Sequence, residues 1–259
     1  MIPDLLTLRW AGGRPALPPG TPGPGPGPGQ CRAWLFAFTG EADAEQALFE
    51  LLSAEERDRA GRFVAALARR HFVQTRAALR MLLGQCLRRE PAALAFDYGA
   101  YGKPSLQDAG ALDFNVAHSG AHALLALADG CGVGVDIEQC RPVSDLDALA
   151  AMVFSATEHE AWSGLPADAR TQAFFESWTA KEAVAKAVGR GLGLGLPEIE
   201  LGAAPMPDGA FEAKAGGLGA CRVFRLRAPE GYAAALALCG AGGGAAGGDQ
   251  SVVRHRSGD

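Results

Sequence analysis

Leu52-Ser53-Ala54-Glu55-Glu56 and Phe154-Ser155-Ala156-Thr157-Glu158 are two versions of one phrase, set 102 residues apart. Both contain Ser-x-x-Glu, a capping box: the serine side chain accepts a backbone N–H, and the glutamate returns the bond, so each phrase opens a helix. A long helical pattern follows each and runs to a glycine, Gly84 or Gly189. Farther on, Ala123-Leu124-Leu125-Ala126-Leu127-Ala128-Asp129-Gly130 resembles Ala233-Ala234-Ala235-Leu236-Ala237-Leu238-Cys239-Gly240 at an offset of 110. Order is kept while loops vary, and repeats of roughly a hundred residues suit paired subdomains. Periodicity predicts helices at 43–52, 54–66, 69–88, 146–153, 156–163 and 169–188. It predicts strands near 33–38, 94–98, 112–117, 122–128, 133–138, 198–201, 221–227 and 232–238. Each half runs helices first and strands second, which favours an α+β fold with mostly antiparallel sheets over a doubly wound α/β fold.

The chain divides on this reading into an N-terminal subdomain at 1–132, a C-terminal subdomain at 133–240 and a tail at 241–259. Pro18 to Gly29 is nearly pure Pro-Gly and reads as a flexible connector. The tail lacks apolar periodicity and is expected to be disordered. With 259 residues, 48% of them hydrophobic, the chain is globular in composition. No apolar run approaches the ~20 residues of a membrane span, and the first residues show no secretory signal. The six cysteines form no Cys-x-x-Cys pair, so neither a zinc site nor a disulfide framework is expected, and a cytoplasmic location fits. Nine arginines fall between Arg57 and Arg89 although the net charge is -5. Such a run is a solvated helix face or a footprint for an anion or acidic protein. A pI of about 5.6 speaks against a nucleic-acid partner.

Three segments carry the chemistry. In Gly134-Val135-Asp136-Ile137-Glu138, the two acids are two apart on a strand and share a face. Any half-exposed strand could show that alternation. In Trp178-Thr179-Ala180-Lys181-Glu182 running on to Lys186, positions 178, 182 and 186 share one helix face, although a surface Glu–Lys pair would look the same. Acids with adjacent cations suit magnesium, which prefers oxygen ligands and often binds a few carboxylates together with substrate phosphates. The third segment, Phe114-Asn115-Val116-Ala117-His118-Ser119, ends a strand with His118 beside a Ser-Gly turn that admits a ligand. Tyr101-Gly102-Lys103-Pro104 is a turn fixed by Gly102 and Pro104, from which Lys103 could reach a phosphate. No Gly-x-Ser-x-Gly supports a serine hydrolase. The glycines of 189–195 follow a helix rather than opening one after a strand, so the dinucleotide-binding context is absent.

Taken in order, Gly102-Lys103-Pro104, Asn115-Val116-Ala117-His118-Ser119, Gly134-Val135-Asp136-Ile137-Glu138, Phe154-Ser155-x-x-Glu158 and Trp178-Thr179-Ala180-Lys181-Glu182-Ala183-x-x-Lys186 resemble the 4′-phosphopantetheinyl transferases of the surfactin-synthetase-activating type. The resemblance spans about 52–240. It implies a monomer of two similar subdomains related by a pseudo-twofold, with coenzyme A and magnesium between them. It implies magnesium ligands at Asp136, Glu138 and Glu182, and phosphate contacts at Lys186, Lys103 and His118. It also implies a coenzyme pocket that includes Gly102, Pro104 and Ala117, with Arg59 and Arg76 toward the nucleotide end. Two residues depart from the pattern: Ala117 stands where a serine often precedes the histidine, and Glu56 where some members have lysine.

The implied activity is transfer of the 4′-phosphopantetheine arm to a serine of an apo acyl or peptidyl carrier protein, with Glu182, Lys186 and His118 in catalytic roles. No membrane or nucleic acid enters that reaction. Two other functions compete: a coenzyme A-binding or carrier-docking protein without catalysis, and a magnesium-dependent nucleotide phosphoesterase.

Overall fold

The computed structural model describes residues 4–11, 14–17, 25–40, 45–189, 195–215 and 219–240. Most of the Pro-Gly connector, the glycines of 190–194 and the tail from 241 lie outside these.

The N-terminal half contains β1 (Asp4–Thr7), β2 (Arg9–Ala11), β3 (Arg14–Ala16), β4 (Cys31–Ala37), α1 (Glu45–Phe49), α2 (Ala54–Gly61), α3 (Ala66–Leu87), β5 (Phe96–Tyr98), β6 (Pro104–Leu106), β7 (Leu112–Ser119) and β8 (His122–Asp129). The C-terminal half contains β9 (Gly132–Gln139), α4 (Leu146–Val153), α5 (Ala156–Ser163), α6 (Ala167–Ala187), β10 (Ile199–Leu201), β11 (Phe211–Ala215), β12 (Ala220–Arg225) and β13 (Tyr232–Cys239). The first main sheet has the order β1-β4-β8-β7 and the second β10-β11-β12-β13-β9. Their pairings are antiparallel except for β1 with β4. The α+β reading with mostly antiparallel sheets therefore holds.

Strand alternation sorts the core into layers. Trp34, Phe36 and Phe114 pack from the first sheet against Ala78, Leu79 and Leu82 of α3. Val223, Ala235 and Ala237 pack from the second sheet against Ala183 and Val184 of α6. The opposite faces meet each other, with Ala33, Leu124 and Ala126 of one sheet against Val133, Val135 and Ile137 of the other. Helix, sheet, sheet and helix thus succeed one another.

The repeat is visible in three dimensions. Ser53 and Ser155 both cap their helices with completed boxes through Glu56 and Glu158. Each box glutamate also holds a buried cation. Arg80 bonds to Glu56 and to the carbonyls of Pro91 and Leu94 at 2.6 and 3.1 Å. Lys181 Nζ bonds to Glu158 at 2.5 Å and to the carbonyls of Val153 and Leu196 at 3.0 and 3.1 Å. A buried charge is tolerated only when paired and hydrogen-bonded, and the two halves meet that demand in the same way. Burial pulls the Lys181 ammonium below its ordinary value, against the restoring effect of Glu158.

Some features depart from the sequence reading. The helix predicted over 54–66 stops at Gly61, and residues 62–65 leave Val64 fully exposed before α3 begins. Strands β1, β2, β3 and β6 are too short to show a period, and β11, although Phe-Glu-Ala-Lys-Ala alternates, lies outside the predicted strands. Contrary to the expectation for the cysteines, Cys221 and Cys239 form a disulfide. The antiparallel register of β12 and β13 sets them opposite each other, with Cα atoms 4.3 Å apart. Their 18-residue separation in sequence gave no hint of it.

Glu158→Ala would leave Lys181, fully buried, without its counter-charge. The expected loss is about 3–5 kcal/mol, the usual consequence of breaking a buried pair. Arg222→Ala, which removes an exposed pair with Asp208, should cost less than about 1 kcal/mol. Urea denaturation of both variants checks the contrast.

Candidate active site

Strand β9 is the edge of the second sheet. Its partner β13 satisfies only one side, so alternate amides face away from the ladder. Side chains from β7 meet them at every second residue. Asp113 Oδ2 accepts the Val133 N–H at 2.8 Å, Asn115 Oδ1 the Val135 N–H at 2.9 Å, and Ser119 Oγ the Gln139 N–H at 3.2 Å. Ala117 interrupts the series opposite Ile137. In the sequence this segment stands out for His118. The polar alternation at Asp113, Asn115 and Ser119 is the sequence signal for this seam.

The other face of β9 carries Gly134, Asp136 and Glu138 under α6. Glycine at 134 is required by close approach: a Cβ there would fall on the Ala183 carbonyl oxygen and the Ala187 nitrogen, and 3.0 Å from the Lys186 carbonyl carbon. With the helix so near, Lys186 Nζ reaches Asp136 Oδ1 at 2.6 Å. Asp136 is 4% exposed, and its Oδ2 has no hydrogen-bond partner. Glu138 accepts a 2.6 Å hydrogen bond from Ser119 Oγ. Glu182, one helical turn before Lys186, shares the same field.

Burial raises all three carboxyls above their ordinary values. Lys186 pulls each back, while Asp136 pushes Glu138 further up, and Asp136 and Glu138 both push Glu182. His118 is exposed on one side, yet partial burial and the Lys186 charge hold its imidazole below the usual range. Phe38 stacks on His71 with ring centroids 3.8 Å apart, and His118 stands edge-on to both.

A cleft of ≈ 320 Å³ opens beside this group; Gly102, Lys103, Pro104, Asn115, Glu182 and Lys186 are among its lining residues. The cleft therefore joins the turn before β6, strand β7 and helix α6. Other residues singled out in the sequence lie elsewhere. Ala117 is buried in the layer between the sheets. Arg76 donates to Glu56 Oε1 at 2.6 Å and to the Tyr98 hydroxyl at 3.2 Å, and lies over the Phe96 ring. Arg59 lies over Phe72. Glu56, where lysine was the alternative, is committed to its helix cap and to Arg76 and Arg80. Among the described residues, no three His, Cys, Asp or Glu side chains converge closely enough to hold a metal as they stand. Lys186 and Ser119 occupy one oxygen each of Asp136 and Glu138.

The family profile described as "4'-phosphopantetheinyl transferase superfamily" matches residues 132–237, and that described as "4'-phosphopantetheinyl transferase, N-terminal" matches 40–129. The chain is 38% identical to the 4'-phosphopantetheinyl transferase HetI of Nostoc sp., over 72% of this chain and 80% of HetI. The chain belongs to the 4′-phosphopantetheinyl transferase superfamily. The transferase is also 34% identical to Sfp of Bacillus subtilis, over 58% of this chain and 71% of Sfp. A holo-(acyl-carrier-protein) synthase from Bacillus anthracis, solved in complex with CoA (3',5'-ADP), aligns over 42% of this chain and 96% of its own. Its 21% identity and TM-score of 0.37 are too low to bear on the site.

The halves of the transferase differ at the acids. At the offset of the capping boxes, Asp136 and Glu138 correspond to Trp34 and Phe36; the registers agree, with Trp34 opposite Leu125 and Asp136 opposite Ala235. Matching the two buried cations, Lys181 with Arg80, sets Glu182 against Met81. All three counterparts lie in the apolar core of the first half. The acidic group is built once per chain.

Gly134→Ala should force α6 away from β9 and separate Lys186 from Asp136. Expected outcomes are a stability loss of about 1–3 kcal/mol, as for overpacking, and loss of transfer. Thermal melts and a turnover assay check both.

Proposed function

We propose that the chain moves the 4′-phosphopantetheine arm of coenzyme A onto a serine hydroxyl of an apo acyl or peptidyl carrier protein, leaving 3′,5′-ADP. The observation that carries this reading is that Asp136, Glu138 and Glu182 all lie within the electrostatic reach of Lys186, which lines one cleft with Glu182 and Lys103. In the reaction, the serine oxygen attacks the phosphorus bearing the pantetheine arm, and the anhydride bond to the ADP portion breaks. Lys186 and Lys103 would hold phosphate oxygens, and His118 would donate to one from the strand end. Phosphoryl transfers depend chiefly on such positioning and charge stabilisation. Glu182, raised by burial, would take the serine proton.

The donor set fits magnesium. Three carboxylates share one lysine, and a buried oxygen of Asp136 lacks a partner. An oxygen-preferring cation would find ligands in Asp136, Glu138 and Glu182. When bound, it would neutralise charge on the anhydride. We read the working unit as a monomer, since one chain supplies both sides of the cleft, and the substrates as coenzyme A and carrier rather than nucleic acid. Among the described residues, no helix is long and apolar enough to cross a membrane.

Intact-mass analysis of several apo carriers, after incubation with coenzyme A, magnesium and the protein, should show addition of the arm. Unmodified carriers throughout, or hydrolysis of coenzyme A without carrier, would overturn the reading. Asp136→Ala should nearly abolish the mass gain while leaving the circular dichroism unchanged.

Magnesium should raise Tm, and Asp136→Asn should remove that increment. The sign of the pH dependence follows from the raised carboxyl values. The folded site binds protons more readily than the unfolded chain, so without metal its contribution to stability falls as pH rises above the ordinary carboxylate range near ~4. A cation must displace those protons. The magnesium increment should therefore be full near neutrality and shrink as pH falls toward that range, which thermal melts across pH will measure.

A further inference from the structure

Lys103 is held on two sides. Its Nζ donates to Asp113 Oδ2 at 2.7 Å and to the Val133 carbonyl at 3.0 Å. The same Asp113 oxygen accepts the Val133 N–H at 2.8 Å. Both polar groups of one edge residue of β9 are thus satisfied by an ion pair, in place of a neighbouring strand. The pair is shielded, with side-chain exposures of 18% for Lys103 and 27% for Asp113.

An ammonium group has three N–H donors. With two anchored, tetrahedral geometry fixes the direction of the third. Lys103 lines the cleft that Lys186 and Glu182 also line, and its stem passes 4.0 Å from where a Cβ on Gly189 would lie. We propose that Asp113 is a positioning residue: it orients Lys103 so that a donor is already aimed at a phosphate of coenzyme A. The inference rests on the function proposed above. A lysine left free on its long stem would lose more rotamer freedom on binding. Asp113 also ties β7 to β9, so the aim of Lys103 is referenced to the strand that carries Asp136.

Asp113→Asn separates the two duties of this carboxylate. The amide oxygen can still accept the Val133 N–H, while the charge facing Lys103 is lost. Coenzyme A binding is to be measured by calorimetry, with kcat and KM from a carrier-modification assay, in the parent, Asp113→Asn, Lys103→Ala and the double variant. The proposal expects Asp113→Asn to weaken coenzyme A about tenfold, or about 1.4 kcal/mol. It expects KM to rise while kcat at saturating coenzyme A stays near the parent's, and Tm to change little. In the Lys103→Ala background, Asp113→Asn should have no further effect on affinity.

Unchanged or tighter binding by Asp113→Asn would overturn the proposal, showing that the aspartate only competes with the ligand for the lysine. Equal losses in both backgrounds would overturn it too, by assigning Asp113 to the seam alone. Should Asp113→Asn fail to fold, Asp113→Glu keeps the charge and serves in the same cycle; a loss of affinity that persists equally without Lys103 overturns the proposal there as well. A parent protein that neither binds coenzyme A nor modifies carriers would refute the functional reading itself, which is a different result from an active parent with a silent Asp113→Asn.

Discussion

The unpaired edge of β9 is the constraint on which the arrangement turns. A sheet edge buried inside a protein must find partners for its amides. Here the partners are side chains of β7 rather than a further strand. Asp113, Asn115 and Ser119 each meet an amide of β9 from across the junction. Because side chains lie between the strands, the two sheets meet face to face and leave a cleft at the seam. Had β7 bonded to β9 directly through its backbone, the two sheets would have been one, and the space lined by Lys103 and Lys186 would not exist. The seam also places Ser119 on Glu138, so the bond that joins the halves fixes part of the acidic group.

Under each sheet's helix, a box glutamate and a buried cation form a strut. Replacing such a pair with apolar residues is often neutral or stabilising, so the value of the struts lies in what they fix. Arg80 ties α3 to the start of α2 and to the segment after α3; Lys181 does the same for α6. Lys181 precedes Glu182 by one residue, so the strut that secures α6 also sets the rotation at which Glu182 faces the cleft. Three residues of one helix, Lys181, Glu182 and Lys186, thus divide the labour between anchoring and chemistry.

Much of this was legible. The capping boxes, the long helices and the strands from β7 to β9 follow from local patterns with a strong period. The acids and Lys186 could be grouped because strand and helix periods put them on shared faces. Elements of three or four residues carry no such period, which is why β1, β2, β3 and β6 are absent from the sequence reading; β11, whose Phe-Glu-Ala-Lys-Ala does alternate, is absent from it too. Interactions set by tertiary register were also hidden: the Cys221–Cys239 pair, the burial of Lys181, and the capture of Arg76 by Glu56. In the last case the sequence showed arginines in number, but a guanidinium beside a buried carboxylate and one open to a ligand look the same in one dimension. Ala117 is the converse case, a residue visible in the motif whose side chain the fold turns into the core.

The replacement of Trp34, Phe36 and Met81 by Asp136, Glu138 and Glu182 at corresponding positions has a consequence for how stability is distributed along the chain. The first three remove apolar surface from water; the second three bring desolvated carboxyls under a helix. Free energies of local opening vary within a protein, and functional elements are drawn from the low end. The α3 layer should accordingly be the slow-exchanging reference, and the α6 layer the part that breathes. An anionic ligand arriving with its cation would then act as the missing core of the second half, so that substrate occupancy and the rigidity of α6 rise together.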